Sequence, residues 1–274
     1  MSTLIKYSLS QILFALLTIF MSGLLQAREI KDLPCGSINL AYYEDGNLFY
    51  GLGNGMYAGI DKDVIEELGR RSGCQFKTSV ESRIRIWTRL SENVLDMSVS
   101  GIATPEREKF AHFIPYFATR NYAILHKKLP AAAKTMDGFL ADPSLKVAIV
   151  KGFRHGTAYD AWLDKLRAQN RVYEVADFNT VTRLFAAHRV AAMLALPTGW
   201  LPLQKQKDIW NQMLIRDWSP NDRTVFSLIV SKERVSKAVV DLLEKHVREM
   251  REDGSMERLF AQTVGAELAH EMRY

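Results

Sequence analysis

Residues Ser98 to Tyr116 read SVSGIATPEREKFAHFIPY, and this stretch decides the fold. It opens as an apolar strand that ends in small residues. Thr104 and Pro105 then turn the chain, because Thr caps a following turn and Pro suits a first helical position. A short charged helix is expected next, followed by an aromatic-rich extended segment. Ser100 and Gly101 carry little bulk, so the strand end leaves room for close approach to the backbone. Arg107 falls one turn further on. Its planar fork matches a carboxylate. Together these parts predict a strand end shaped to hold a small anion.

On either side, apolar strands alternate with amphipathic helices, which is the pattern of α/β architecture. Strands are expected at Ser37 to Tyr43, Gln75 to Val80 and Leu95 to Ser100. A helix over Asp61 to Arg71 puts Val64, Ile65 and Leu68 on one face, with Asp61 as its cap. A second helix is expected over Ile84 to Ser91. Tyr116 to His126 reads as a longer extended segment, with the chain crossing to a second lobe at Asn121-Tyr122-Ala123. Further strands are expected at Leu145 to Val150, Val172 to Val175, Val190 to Leu196, Leu214 to Asp217 and Thr224 to Val230. Helices are expected at Thr157 to Gln169, Thr180 to His188 and onward from Val235. Gly51 to Gly59 (GLGNGMYAG) lacks the ending of a phosphate loop and reads as a mobile rim loop.

The amino terminus carries Lys6, an apolar run from Ile12 to Phe20, and Leu25-Gln26-Ala27. This is the pattern of a cleaved secretory signal over residues 1–27. The rival reading is a membrane anchor, but the run falls short of the roughly 20 residues that span a bilayer. Export implies a mature chain from about Arg28. The two cysteines, Cys35 and Cys74, each precede a strand of one expected βαβ unit. That placement brings them to one sheet edge and makes a disulfide plausible, with two buried free thiols as the alternative. The net charge of +5 is spread among acids without a basic tract, so nucleic acid is a poor partner.

The central stretch resembles the periplasmic solute-binding proteins of family 3, the polar amino-acid type. The family's T-P/D/E-E-R motif reads here Ala103-Thr104-Pro105-Glu106-Arg107, and its hFSxPY run reads His112-Phe113-Ile114-Pro115-Tyr116. Gly59-Ile60-Asp61-Lys62-Asp63 is similar to its G-F-D-x-D opening, and Phe226 to Gly265 to its closing strand and helices. The resemblance implies a two-lobed, type II binding-protein fold. Each lobe would be a parallel-rich sheet flanked by helices, and two crossing segments would form a hinge. Lobe 1 would comprise residues 28–122 and 226–274, and lobe 2 residues 123–225. Strand ends of an open α/β sheet face the ligand, so Tyr42 to Glu44, Ser100 to Arg107 and Lys151 to Thr157 would surround one cleft.

The implied ligand set is Tyr43, Glu44, Trp87, Ser100, Gly101, Ile102, Arg107, Gly152, Phe153 and His155. Arg107 would grip a carboxylate. Glu44 would hold a cation, or else be an exposed turn acid. Trp87 would line the cleft or pack in the core, and His155 would be a pocket or a solvated residue. Lys151 to Thr157 would present backbone N–H groups at a helix start, where anions are favoured. Two departures stand out. Ile102 replaces a hydroxyl residue, and the run Arg189 to Pro197 lacks both aspartates that the family uses, one of them for the ligand amine. The ligand would then lack an α-amine, as an acidic or otherwise non-standard small molecule would, or Glu44 would hold the amine instead.

The expected function is therefore capture of a small carboxylate-bearing solute by a monomer, with delivery to an ABC-type permease. No cofactor or metal is expected, and no enzymatic activity. Glu44 and His155 are the only acid–base candidates, and no nucleophile triad or metal cluster is visible by spacing. A sensory or partner-binding module, or a dehydratase-like enzyme on the same scaffold, is the alternative.

Overall fold

The computed structural model describes residues 35–274, so the expected leader lies outside the described residues. Two five-stranded sheets organise the chain. In the first, β1 (Ser37–Tyr42), β4 (Gln75–Val80), β5 (Met97–Gly101), β6 (Ala111–Thr119) and β12 (Thr224–Ser231) lie in the order β4-β1-β5-β12-β6. β1 runs parallel to β4 and β5, whereas β12 runs antiparallel to β5 and β6. Helices α1 (Ile60–Ser72), α2 (Arg83–Ser91), α8 (Lys237–Glu252), α9 (Ser255–Val264) and α10 (Ala266–Glu271) accompany this sheet. The stripe Ile60, Val64, Ile65 and Leu68 of α1 is buried with Leu243 and Val247 of α8 in the same core. Such three- and four-residue spacing is what lets a helix bury one face.

The second sheet has the order β11-β7-β10-β8-β9, formed by β7 (Tyr122–His126), β8 (Val147–Val150), β9 (Val172–Val175), β10 (Ala192–Ala195) and β11 (Met213–Arg216). Its strands alternate with period two between separate cores. Leu125, Val147, Ile149 and Leu194 join one cluster with Trp162 and Leu163 of α4 (Thr157–Arg167) and Phe139 of α3 (Met136–Ala141). Ile124, Ala148 and Met193 join the other with Val181 and Phe185 of α5 (Phe178–Ala186), which the short helices α6 (Pro197–Trp200) and α7 (Lys207–Trp210) follow in the chain. Both faces are covered, which explains why these strands read as continuous apolar runs.

The chain passes between the sheets twice, after Thr119 and before Thr224. Arg120 on the first crossing pairs with Asp217 near the second at 2.7 Å. The expected extended segment Tyr116 to His126 is two strands in two different sheets, split at Arg120-Asn121 beside the crossing read at Asn121-Tyr122-Ala123. Three other expectations change. The glycine-rich loop is a hairpin of β2 (Tyr50–Gly53) and β3 (Met56–Ala58). The charged helix after Pro105 is one 3-10 turn, Arg107–Lys109. Gly59, not Asp61, is the N-cap of α1, at φ 131°. A Cβ at Gly59 would lie 2.4 Å from the Leu48 carbonyl, so only glycine fits there.

Cys35 and Cys74 form a disulfide with a Cα separation of 5.2 Å. They sit just ahead of Ser37 and Gln75, which are register partners in the parallel pair β1–β4. Adjacent parallel starts place the two thiols side by side.

Candidate functional site

The wall of the interlobe cleft on the first lobe is built from the ends of β1 and β5 and the start of α2. Helix α2 buries Arg83, Ile86, Trp87 and Leu90, the i, i+3, i+4, i+7 stripe of an amphipathic helix. A charged residue occupies the first position of that apolar stripe. Arg83 is only 2 % exposed. Its guanidinium lies 4.2 Å from the Tyr43 ring centre and 4.5 Å from that of Phe153, which comes from the second lobe. One Nη donates to the Ser100 carbonyl at 3.0 Å, and the Tyr43 hydroxyl donates to the same oxygen at 3.2 Å. Nε and the other Nη have no hydrogen-bond partner.

Ser100 holds a left-handed φ of 49°, unusual for a residue with a side chain. Its surroundings enforce that conformation. The backbone N–H of Ser100 donates to the Tyr116 hydroxyl at 3.1 Å, and its own hydroxyl donates to Asp61 at 2.8 Å. Tyr116 in turn donates to Asp61. Asp61 is buried beneath this knot, and burial pushes its carboxyl up to about 7 against the pull of the two hydroxyl donors. The expected helix cap is thus a buried acceptor that locks the end of β5. Gly101 serves packing: a Cβ there would meet Ile229 of β12 at 2.3 Å.

Arg107 bridges the lobes. It donates to the Ile102 carbonyl and to the Gly152 carbonyl, both at 2.8 Å, and its guanidinium lies 3.8 Å from the centre of the Trp87 ring. Burial lowers its pKa to about 9, and the neighbouring Arg83 and Arg154 add to that. Trp87 therefore forms a shelf for this cation, with its indole N–H unpartnered.

The wall on the second lobe is the turn after β8. Phe153 and Leu196 are buried in the core cluster of the first lobe, so the lobes are closed on each other. The Asn47 N–H donates across the gap to the Thr198 carbonyl at 2.8 Å. His155 is buried, and its Nδ1 lies 3.0 Å from Asn121 Oδ1 on the first crossing, while Asn121 Nδ2 donates to the His155 carbonyl. Burial, with Arg167, Arg83 and Arg154 nearby, drops its pKa to about 3. A neutral ring donating from Nδ1 to Asn121 leaves Nε2 as an acceptor, and Nε2 has no partner.

The start of α4 differs from its expected role. Asp222 accepts the Ala158 N–H at 2.8 Å, and a Cβ on Gly156 would meet its carboxylate at 2.6 Å. The chain's own anion occupies the helix N-terminus, where the dipole favours negative charge. Glu44 lies elsewhere, in a rim groove of about 500 Å³ that also includes Asn47, Asn179, Arg183 and Lys205. Asp45, one residue on, is buried; burial lifts its carboxyl to about 6, opposed by Arg83.

Of the expected residues, the structure brings Tyr43, Trp87, Ser100, Ile102, Arg107, Gly152, Phe153 and His155 together, directly or through shared partners. Arg83, Asn121, Asp61 and Asp222 were not expected. Asp61 was read only as a helix cap within the G-F-D-x-D motif, and Arg83 left a signal as a cation at an apolar-stripe position. Among the described residues no group of three or more His, Cys, Asp or Glu side chains is placed to hold a metal ion.

A sequence model of the bacterial extracellular solute-binding proteins, family 3, matches residues 43–266. No curated protein sequence matches the chain. Among solved structures, it is similar to an ancestral arginine-binding protein bound to glutamine, at 17 % identity and a TM-score of 0.71 over 84 % of this chain and 98 % of that one. An ancestral amino-acid-binding protein described as a precursor of cyclohexadienyl dehydratase gives 19 % identity and a TM-score of 0.70, with 84 % and 96 % covered. A histidine kinase sensor domain similar to periplasmic binding proteins gives 14 %, 0.70, and the same 84 % and 96 %. At such identities the likeness is one of fold. The family match over most of the chain, on a two-lobed α/β frame closed around a cationic cleft, places this protein among the bacterial extracellular solute-binding proteins of family 3.

Proposed function

We propose that the interlobe cleft captures a small carboxylate-bearing solute in the periplasm and that the protein delivers it to an ABC-type importer. The observation that carries this reading is Arg83, a buried guanidinium flanked by two aromatic rings with two nitrogens unpaired. A buried cation without a full set of acceptors is costly, and a ligand carboxylate would supply them. Arg83 would be the principal anchor. Arg107, tied to both lobes, would act mainly as a closing latch. Neutral His155 would offer Nε2 as an acceptor for a ligand hydroxyl or N–H.

The cleft favours an acid without an α-amine. The strand end that lacks the family's aspartate presents Leu196, which packs into the first lobe. Asp45, a buried acid whose carboxyl feels the charge of Arg83, is the group that would have to meet an amine. The test is calorimetric titration of amino acids, dicarboxylates and aromatic acids into the protein and its Arg83→Ala variant. Each hydrogen bond to a charged group is worth about 1.5–3 kcal/mol, so the variant should bind roughly 10- to 150-fold more weakly. Binding unaffected by Arg83→Ala would overturn the anchor.

The closed arrangement favours a second reading, a sensory module. Phe153 already roofs Arg83 and Asp222 already fills the α4 terminus, so the lobes hold each other through the chain's own groups. Absence of any bound solute, with retention of a membrane partner through a defined lobe surface, would select it.

A further inference from the structure

The pole of the second lobe farthest from the cleft carries its own groove, of about 820 Å³. β7 runs away from the hinge, so His126 at its end lies about 13 Å along the strand from Tyr122, at ~3.3 Å per residue. Lys146, just before β8, and Arg189, ahead of β10, reach the same edge. The turn after β7 adds Lys127 and Lys128. Four cations line this groove and no acid does. Among the described residues none of the four takes part in an ion pair.

The floor is polar and unsatisfied. His126 is 7 % exposed and stacked between Phe185, at 3.9 Å, and His188, at 4.3 Å. Neither of its ring nitrogens has a hydrogen-bond partner, although the Phe185 and Val190 carbonyls lie beside the ring. Oε1 of Gln212 is a buried acceptor without a donor, while its Nε2 is spent on the Asp208 carbonyl. His188 holds a left-handed φ of 55° beside the groove. Buried polar atoms without partners are uncommon and call for an explanation.

We propose that this distal groove is a second ligand site, independent of the cleft, for a small phosphorylated molecule that also carries hydroxyl donors. The cation count without compensating acids selects a multiply charged head, because each acid-free lysine or arginine lowers the cost of bringing negative charge to the groove. The phosphate oxygens meet the lysines and Arg189. Hydroxyl groups of the ligand donate to Gln212 Oε1 once that half-buried side chain shifts toward them, and His126 lines the same groove. A groove of this size holds a molecule of sugar-phosphate dimensions.

The experiment is calorimetric titration of the protein with glucose 6-phosphate, glucose and inorganic phosphate as separate probes. Saturable binding of glucose 6-phosphate is expected, at least tenfold tighter than either part alone. It should weaken tenfold or more in a Lys127→Ala/Lys128→Ala/Lys146→Ala variant and with rising salt. The two turn lysines are exposed and Lys146 is half-buried at a strand start, so an unchanged melting temperature confirms that the triple variant folds. Gln212→Leu should erase the advantage over inorganic phosphate. Arg83→Ala should leave the binding intact, which separates this site from the cleft. No saturable binding, or binding indifferent to the lysine variant, overturns the site. Equal affinity for inorganic phosphate overturns the hydroxyl-bearing ligand.

Discussion

The Phe153 ring of one lobe lies 4.5 Å over the Arg83 guanidinium of the other. A cation of the binding wall is therefore also a closing contact. With the Tyr43 ring centre 4.2 Å away as well, Arg83 is flanked by two aromatic rings, and its Nε and one Nη remain unpaired. A cation–π contact of this kind is worth about 0.5–2 kcal/mol. It offsets part of the desolvation cost and biases the lobes toward each other.

The second interlobe latch is Arg107, through its bond to the Gly152 carbonyl. Replacing it by alanine removes a charge-assisted hydrogen bond of about 1.5 kcal/mol for a half-buried guanidinium, and so shifts the open-to-closed ratio about tenfold toward open. Small-angle scattering should show a larger radius of gyration for Arg107→Ala without solute. A variant as compact as the parent would assign closure to Phe153 and the Asn47–Thr198 contact instead.

Asp222 caps α4 from 64 residues away in sequence. Asp222→Ala should cost about 1–2 kcal/mol in denaturant unfolding, as for loss of an N-cap. Asp222→Asn keeps an acceptor oxygen and should cost less than Asp222→Ala. Equal losses would mean that charge at the helix terminus, rather than the hydrogen bond, dominates.

Asp61 gives stability a pH dependence of defined sign. Its folded pKa of about 7 lies above its ordinary 3.8, so the folded state holds the proton more tightly. Its contribution is complete below about pH 4 and is lost as pH rises through about 7. The unfolding free energy of the parent, minus that of Asp61→Asn, should fall between pH 4 and 7, by up to roughly 1.4 kcal/mol per unit. A difference that is flat with pH would show that Asp61 is ionised throughout.

The disulfide closes a loop between positions 39 residues apart. Chain-entropy reasoning gives about 4 kcal/mol for that length. Cys35→Ser/Cys74→Ser should lower the melting temperature by several degrees while leaving solute affinity within about twofold, since both cysteines lie at the opposite end of β1 from Tyr43. A large loss of affinity would show that β1 is not positioned independently of the bridge.

Most of the frame was legible from local sequence. β4 and β9 fall on their expected residues, because their bounds are set by adjacent turn residues, and helices α1, α2 and α4 fall within two residues or so of expectation. The break at Arg120-Asn121 falls beside the crossing read at Asn121-Tyr122-Ala123, although an extended chain that changes sheets keeps its apolar pattern and hides where each strand ends. The hairpin at Gly51 to Gly59 was hidden for the opposite reason: its glycines weaken any strand signal, and its pairing depends on register.

The sequence by itself determined the α/β alternation, the family motif around Arg107 and the placement of two cysteines just before two strands of one βαβ unit. These follow from periodicity and short-range chemistry. The tertiary structure alone decided which cation faces the cleft, which carboxylate fills the α4 terminus and what Asp61 binds. Arg107 meets Gly152 across 45 positions, Asp61 meets Tyr116 across 55, and Asp222 meets Ala158 across 64. Hydrogen bonds act over about 3 Å, and no local pattern records which distant groups the folded chain brings within that range.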